Sequence, residues 1–271
     1  MQLGINGSTI ENCGVSEFLA IASKAGFDGV ELRTPHIDEY LKAKTLGDLR
    51  AELAKTGLRV FSINSIEFST MQTEAEHRDT LAEVDKLSRY AAELSCQWII
   101  GCPGECPDST PWDEIVSKSG PQLAQVADTA WKHRVSVAFE FVGFPGRSAK
   151  TPSQAWAIVK EANRANLGIT VDVANFHTGQ GLLAEISALP AGAVAIYHLN
   201  DIRPMDPAAA GAYDRVMPGD GMSPVAEVTR ELQRIGYDGV AAVEIFNHDY
   251  NRRDPLEVAR EALAKTKAFL R

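Results

Sequence analysis

Short apolar runs rich in β-branched residues alternate with longer stretches of helical periodicity along the whole 271-residue chain. The runs predict eight β-strands, at residues 2–6, 29–33, 59–64, 98–101, 136–142, 168–173, 194–200 and 240–246. Eight strand-and-helix units of roughly 34 residues match the size of a closed (β/α)8 barrel. The alternation therefore predicts an α/β protein that is a single TIM barrel, with residues 1–271 forming one domain.

The predicted helices lie between these strands and carry ordinary start signals. They are expected at residues 15–24, 46–56, 75–94, 113–133, 152–163, 181–189, 223–235 and 255–270. Thr151 and Asp254 each precede a proline, which is typical of a helix start. The main alternative is an open, doubly wound sheet. However, the first strand is followed by a single glycine, Gly7, and not by a glycine-rich phosphate loop.

Composition and charge exclude several functional classes. With 45% hydrophobic and 23% charged residues, the chain can bury a large core. A net charge of −9 repels phosphates, so we expect no nucleic-acid partner. No apolar run approaches the roughly 18 to 20 residues that span a bilayer, and the first residues do not resemble a signal peptide. We therefore expect no membrane partner and a cytoplasmic location. Four cysteines without a CxxC pair do not indicate a disulfide framework.

Four consecutive predicted strands carry one polar residue late in an otherwise apolar run. These residues are Glu140, Asp172, His198 and Glu244. TIM-barrel active sites lie at the C-terminal ends of the strands, so the four side chains are expected to converge at one rim. Side chains alternate along a strand, so the residues two positions earlier are expected to fill the layer beneath. Those residues are Ala138, Thr170, Ile196 and Ala242.

Three carboxylates and one imidazole at a single rim require a compensating positive charge, which a divalent cation provides. The ligand set has one nitrogen and no sulfur, so it suits Mn²⁺, Mg²⁺ or Co²⁺ at least as well as Zn²⁺. We take Mn²⁺ as the first expectation. An acidic residue at a strand end, taken alone, is more often a helix cap or an ion-pair partner. Four such residues on consecutive strands favour a metal site.

Longer runs around these residues resemble a known family. The runs are FEFVG at 139–143, YHLND at 197–201, DRVMPGDG at 214–221 and VEIF at 243–246. They resemble the xylose-isomerase-like sugar isomerase/epimerase superfamily, and within it most closely the inosose (2-keto-myo-inositol) isomerases of inositol catabolism. Residues 29–34 and 41–49 are similar to that branch as well, so the resemblance extends over essentially the whole chain.

The resemblance implies a role for each of the four strand-end residues. Glu140, Asp172, His198 and Glu244 would bind one divalent metal ion. Glu140 and Glu244 would lie on opposite sides of the bound sugar and would also act as the catalytic acid and base. A carboxylate next to a cation is a weaker base, but the same cation acidifies the substrate carbon, so the two effects can be matched.

Three further residues are predicted to bind the substrate. The resemblance implies that Arg215 reaches a substrate oxygen, with a surface ion pair to Asp214 or Asp220 as the alternative. Many relatives carry a histidine three residues after the aspartate of the sixth strand, and this chain has Asn175 there. An asparagine can hydrogen-bond a sugar hydroxyl but does not titrate near neutral pH. His177 is the remaining histidine on this side of the predicted site.

Other polar residues are given weaker expectations. Four histidines are assigned to loops or helices, with His36 and His248 in rim loops and His77 and His133 at a helix surface or end. Glu31 and Arg33 are expected to pair with each other. The residues Asn6, Asn64 and Glu105, together with Trp112 after the fourth strand, are candidates for the pocket lining or, for Trp112, for plain packing.

The predicted function is a divalent-metal-dependent isomerase or epimerase of a keto sugar or inosose, acting by proton transfer through a metal-stabilised enediolate. The alternative is a metal-dependent dehydratase or lyase that eliminates a leaving group from a 3-keto sugar or keto-glycoside. A non-catalytic sugar-binding barrel is less consistent, because binding alone does not need paired carboxylates around a metal. The expected partner is a small-molecule keto sugar or inosose, and assembly into a homo-oligomer stays open.

Overall fold

The structure is a computed structural model that describes residues 1–270 of the chain. At its centre is a closed barrel of eight parallel strands, as the sequence predicts. The strands are β1 (Gln2–Asn6), β2 (Gly29–Arg33), β3 (Arg59–Ile66), β4 (Trp98–Gly101), β5 (Ser136–Glu140), β6 (Leu167–Asp172), β7 (Val194–Leu199) and β8 (Val240–Val243). Each strand pairs with its neighbours in sequence, and β1 pairs with β8 to close the barrel, with Ile5 opposite Val243.

Within residues 1–270, ten α-helices accompany the strands. They are α1 (Val15–Ala25), α2 (Thr34–Tyr40), α3 (Leu46–Thr56), α4 (Glu74–Glu93), α5 (Trp112–Trp131), α6 (Pro152–Ala162), α7 (Val173–Thr178), α8 (Leu183–Ser187), α9 (Val225–Arg234) and α10 (Pro255–Phe269). Eight of these match predicted helices. The other two, α2 and α7, follow β2 and β6 directly and were not predicted.

The predicted start signals act as helix caps, and two glycines end helices. The side chain of Thr151 accepts the backbone N–H of the third residue of α6, and Asp254 does the same for α10. Gly26 and Gly57 end α1 and α3 with φ angles of 98° and 70°. This left-handed conformation favours glycine, so α1 and α3 end at these residues, shortly before β2 and β3 begin.

The barrel wall separates two apolar regions of the core. The larger region lies between the strands and the surrounding helices. A smaller cluster inside the barrel contains Ile100, Ala138 and Ile196. Thr170 and Ala242 are also fully buried, so all four residues predicted to lie beneath the polar strand ends are inaccessible to solvent.

The segments that follow the strands build the rim of the barrel. After β7 the chain forms a short antiparallel pair, Asp201–Ile202 with Arg215–Val216. The buried carboxylate of Asp201 accepts backbone N–H groups from Gly219, Gly221 and Ser223 at 2.7–3.1 Å. These bonds hold residues 219–223 in place, at the C-terminal end of the loop that carries Arg215.

The strands β5 to β8 end one to three residues before the predicted ends, whereas β3 continues to Ile66. Among the helices of residues 1–270, none is long and apolar enough to cross a membrane.

Candidate metal centre

The structure brings the four polar strand-end residues together at the C-terminal rim of the barrel. Glu140 and Asp172 end β5 and β6, His198 lies in β7, and Glu244 follows β8 directly. One ligand atom from each of the four lies within 4.8 Å of the others, and all four side chains are buried. The convergence follows from the parallel strands, whose C-terminal ends all lie on one side of the barrel.

The Nδ1 atom of His198 shows that this cluster fits a metal ion. It lies 3.2 Å from Oε2 of Glu244, 3.4 Å from Oε1 of Glu140 and 3.7 Å from Oδ2 of Asp172. Despite these neighbours, this buried atom has no hydrogen-bond partner within residues 1–270. A buried imidazole nitrogen left free among three carboxylates is the donor set that a divalent transition metal prefers.

The other ring nitrogen of His198 is held by a fourth buried carboxylate. Nε2 lies 3.0 Å from Oε1 of Glu31, which is itself inaccessible to solvent. Glu31 also accepts hydrogen bonds from Asn6 and Ser62. With Nε2–H donating to Glu31, Nδ1 is the nitrogen that faces the three cluster carboxylates, so its lone pair would be the one available to an ion held there, as in many metal-binding histidines. The predicted Glu31–Arg33 pair is wrong, because Glu31 faces the barrel interior.

Asp172 both caps a helix and lies in the cluster. Its Oδ1 accepts the backbone N–H of Asn175 at 2.6 Å, which starts α7, and its Oδ2 accepts the side-chain amide of Asn200 at 2.6 Å. The side-chain amide of Asn175 donates to Oε1 of Glu140 at 3.0 Å. The helix α7 therefore connects two of the cluster carboxylates and fixes their orientation.

Glu244 is the most extensively hydrogen-bonded carboxylate of the cluster. Its Oε1 accepts from the side-chain amides of Asn6 at 3.1 Å and Asn64 at 2.9 Å. Its Oε2 accepts from Nη1 of Arg215 at 2.7 Å. Two of the three residues suggested as pocket lining, Asn6 and Asn64, thus contact this carboxylate. The third, Glu105, is exposed and lines a different cavity.

The two glutamates of the cluster have opposite electrostatic environments. Burial raises the pKa of Glu140 to about 7, although the nearby His198 partly opposes the shift. Burial also disfavours the charge on Glu244, but His198 and Arg215 outweigh it and hold the pKa of Glu244 well below its usual range. Burial alone lowers the pKa of His198, but the surrounding glutamates, Glu244 first, outweigh it and raise that pKa well above its usual value.

Arg215 points into the cluster and not at the surface. Its Nη1 is 2.7 Å from Glu244 and 3.2 Å from Asp172, and its side chain is 5% exposed. The alternative of a surface ion pair is wrong, because Asp214 pairs with Arg203 and Asp220 with Lys265. The antiparallel pair after β7 is what turns Arg215 inward.

A cavity of about 250 Å³ opens above the cluster. Its lining includes Glu140, Glu244, Asn175 and Arg215, together with the last residue of β2 and residues from the ends of, or the segments after, β3, β4, β5, β7 and β8. His177 lies on α7 and is not among the lining residues; its pKa is lowered by burial. A role for His177 in substrate binding stays a prediction.

The remaining candidates lie outside the cluster, and His36, expected in a loop, lies in α2. Trp112 begins α5 and packs against the main core, which is the packing alternative. His133 lies two residues after the end of α5, where its Nε2 is 2.8 Å from Oδ1 of Asp85. His77 was expected on a helix surface, but it is buried against Gln125 of α5. His248 stacks on Tyr213 with ring centroids 4.1 Å apart.

Glu31 contacts His198 of the cluster, although the sequence assigned it only to a pair with Arg33. Glu31 is a carboxylate inside an apolar strand, which is the same signal that singled out Glu140, Asp172 and Glu244. The nearness of Arg33 in the sequence favoured an ion pair instead. Arg33 in fact pairs with Glu11 at 2.9 Å.

Comparisons with known proteins agree with this architecture. The sequence model of the family described as xylose isomerase-like TIM barrel matches residues 19–269. The chain is 27% identical over 272 residues to an inosose isomerase of Bacillus velezensis, covering 100% of this chain and 97% of that protein. It is 26% identical over 239 residues to a 3-dehydroshikimate dehydratase of Pseudomonas aeruginosa, covering 86% of this chain and 36% of that longer protein.

A similar solved structure is that of the IolI protein with a bound zinc atom. It superposes with a TM-score of 0.96 at 27% sequence identity, over 100% of this chain and 98% of IolI. The crystal structure of that protein therefore contains both the same fold and a metal ion.

Proposed function

Because the protein belongs to the xylose isomerase-like TIM barrel family, we propose that it is a metal-dependent enzyme that isomerises or epimerises an inosose-type keto sugar. The observation that carries this proposal is the buried cluster with its free imidazole nitrogen. The full-length similarity to inosose isomerases supports the substrate class.

Four residues would hold the ion, namely Glu140, Asp172, His198 and Glu244. When bound, the ion supplies positive charge that stabilises negative charge developing on the substrate oxygens as the neighbouring carbon loses its proton. The oxygen-rich donor set suits Mn²⁺, and Zn²⁺, which the IolI crystal structure contains, is the competing candidate. Metal analysis of the purified protein distinguishes the two.

The unequal environments of Glu140 and Glu244 give the two residues different roles. Arg215 and two amides hold Glu244 ionised, and its low pKa makes it a weak base. Burial raises the pKa of Glu140 to about 7, so Glu140 is the stronger base, and its carboxylate would accept the proton from the substrate carbon and return it. Isomerisation and epimerisation differ only in the carbon or face to which that proton returns.

The substrate is oriented by groups that the protein places around the cavity. Arg215 keeps N–H groups on the cavity side of Glu244, and Asn175 lies beside Glu140. Both can donate to a carbonyl or hydroxyl oxygen. Phe246 and Phe144 add apolar surface to the lining and exclude water from the reacting carbon.

The test is proton exchange in D₂O. Ion-stripped protein reloaded with Mn²⁺ is incubated with 2-keto-myo-inositol, and proton NMR follows both deuterium incorporation and isomer formation. We expect exchange by the wild type, its loss in Glu140→Gln, and unchanged exchange in Glu105→Gln, which removes an exposed carboxylate outside the cavity. Wild-type protein that takes up Mn²⁺ but exchanges no substrate hydrogen contradicts the proposal.

A second candidate function rests on the similarity to 3-dehydroshikimate dehydratases. Removal of a proton next to a carbonyl can also lead to expulsion of a hydroxyl group, and the same carboxylates could serve that reaction. Loss of water from 3-dehydroshikimate, without isomerisation of the inosose, would establish this alternative.

A further inference from the structure

Arg147 lines the same cavity as Glu140 and Glu244 and has no role in the proton transfer described above. It lies in the loop between β5 and α6 and is half-buried. Nothing in the sequence pattern singles it out. Its position places a positive charge on the side wall of the cavity, away from the cluster that would hold the ion.

The backbone around Arg147 is clamped to the loop that follows β4. Arg147 forms an antiparallel bridge with Glu105. On either side of it, the N–H of Ser148 donates to Gly104 and the N–H of Cys106 donates to Gly146, both at 2.9 Å. A residue on such a clamped loop loses little conformational entropy when it binds a ligand.

Arg147 is the arginine of this cavity that no carboxylate neutralises within residues 1–270. Arg33 pairs with Glu11, and Arg215 pairs with Glu244. The guanidinium of Arg147 instead packs over the ring of Phe68, 5.0 Å from its centroid, and donates one hydrogen bond to the carbonyl of Pro103 at 3.3 Å. Most of its N–H donors therefore remain available to a ligand in the cavity.

Glu67, in the loop after β3, supplies a complementary acceptor in the same cavity. Its carboxylate accepts the hydroxyl of Ser65 at 2.9 Å and has no cationic partner within 4.0 Å in the described part of the chain. The wall thus offers a donor from Arg147 and an acceptor from Glu67. A hydroxyl group both donates and accepts, so neighbouring hydroxyls on a ring can use both.

We propose that Arg147 and Glu67 bind ring hydroxyls remote from the reacting carbonyl, and so select an uncharged polyhydroxylated ring ketone over a ketone that carries a carboxylate. This inference rests on the proposed function and specifies its substrate class. It makes Arg147 and Glu67 specificity residues, separate from the groups that transfer the proton.

The charge around the cavity favours the uncharged substrate. Four buried carboxylates, Glu31 included, face one buried arginine, and a bound divalent ion would leave one negative charge in excess. Glu67 adds a negative charge and Arg147 cancels it. A substrate carboxylate would add to the excess and would meet Glu67, so the single unpaired arginine does not make this an anion site.

The experiment compares two variants that each remove one side-chain charge with a matched control. Arg147→Met keeps the aliphatic stem and removes the donors, and Glu67→Gln removes the charge of the acceptor. Arg134→Met is the control, because Arg134 also stacks on an exposed aromatic ring, that of Trp131, but lies before β5 at the other end of the barrel. Thermal unfolding checks that each variant is folded.

The probes are 2-keto-myo-inositol and 3-dehydroshikimate, each measured by calorimetric binding and by turnover with the Mn²⁺-loaded enzyme. For the inosose we expect KM and Kd to rise about 10- to 100-fold in Arg147→Met and Glu67→Gln, as is typical for charge-assisted hydrogen bonds, with kcat within about threefold of wild type. Arg134→Met should match the wild type. We expect the wild type to bind 3-dehydroshikimate more weakly than the inosose.

The failures are distinguishable. Normal exchange on the inosose with unchanged KM in both variants overturns this inference and leaves the proposed function intact. Tight binding of the inosose that both variants weaken, without any exchange, supports the inference and overturns the proposed reaction. Preferred binding of 3-dehydroshikimate that depends on Arg147 overturns the inference, because the arginine then serves a carboxylate. Binding of neither probe overturns both.

Discussion

Replacing Glu31 by glutamine should weaken metal binding although Glu31 is not among the four candidate ligands. Every neighbour of the Glu31 carboxylate is a donor: Nε2 of His198 at 3.0 Å, the amide of Asn6 at 3.1 Å and the hydroxyl of Ser62. A glutamine has only one acceptor oxygen, and its NH₂ group would face one of these donors. His198 would lose its fixed orientation and part of its basicity.

The magnitude follows from the chemistry of such orienting carboxylates. Losing one typically costs about 10- to 100-fold in metal affinity, which corresponds to about 1.4 to about 2.7 kcal/mol. Calorimetric titration of ion-stripped Glu31→Gln with Mn²⁺ measures the change. The visible spectrum of the Co²⁺-loaded protein reports on ligand geometry independently of activity.

Glu52→Gln is the matched control, because Glu52 is a hydrogen-bonded carboxylate on α3, where it accepts from Tyr40 and Lys44. It should bind Mn²⁺ as the wild type does. If folded Glu31→Gln binds Mn²⁺ with wild-type affinity and gives an unchanged Co²⁺ spectrum, then Glu31 does not orient His198 for a metal, and the reasoning from the free Nδ1 atom is refuted.

Three further predictions concern the same site. Mn²⁺ affinity should rise between about pH 6 and about pH 8, because Glu140 (pKa about 7) and His198 (pKa raised) hold protons in the ion-free protein that metal binding must release. Calorimetry in buffers of different ionisation enthalpy counts those protons. A pH-independent affinity contradicts this prediction. Asn175→Ala removes a hydrogen bond to the ionised form of Glu140, so the pKa of Glu140 should rise and the acidic limb of the kcat/KM profile should move to higher pH; an unmoved limb excludes the role given to Glu140. Asp201→Asn should loosen the loop that carries Arg215 and raise KM about 10-fold or more while leaving Mn²⁺ affinity within about twofold, which substrate kinetics and calorimetry test together.

The barrel itself could be predicted from the sequence because it depends on local patterns. Each strand is an apolar run and each long helix an amphipathic one, so their alternation determines the fold class. The helices α2 and α7 were missed because each begins directly after a strand, β2 or β6, with no loop between them to mark a helix start. The strands β5 and β8 were predicted too long because Phe141 and Ile245 are apolar and fully buried, although they lie beyond the last strand residue. Burial alone does not distinguish a strand from the buried start of a loop.

The candidate cluster could be predicted in part for a similar reason. Barrel geometry brings strand ends together whatever the loops do, so the positions of Glu140 and Glu244 followed from strand positions alone. The orientation of Arg215 did not, because it depends on the antiparallel pair formed with residues 201–202. Arg147 is fixed by backbone bonds to a loop about forty residues earlier in the chain. Contacts of this kind leave no periodic signal in the sequence.

His198 explains why four buried carboxylates can have two different roles. Its ring spans the barrel interior, with Nδ1 toward Glu140, Asp172 and Glu244 and with Nε2 toward Glu31. An imidazole can offer a lone pair on one nitrogen only while the other carries the proton. Because Nε2–H donates to Glu31, the three carboxylates on the Nδ1 side are the ones that can share an ion with the histidine. By strand position alone, Glu31 would be an equal candidate for binding the ion. The two nitrogen atoms of the imidazole separate the carboxylate that orients the histidine from the carboxylates that would bind the ion.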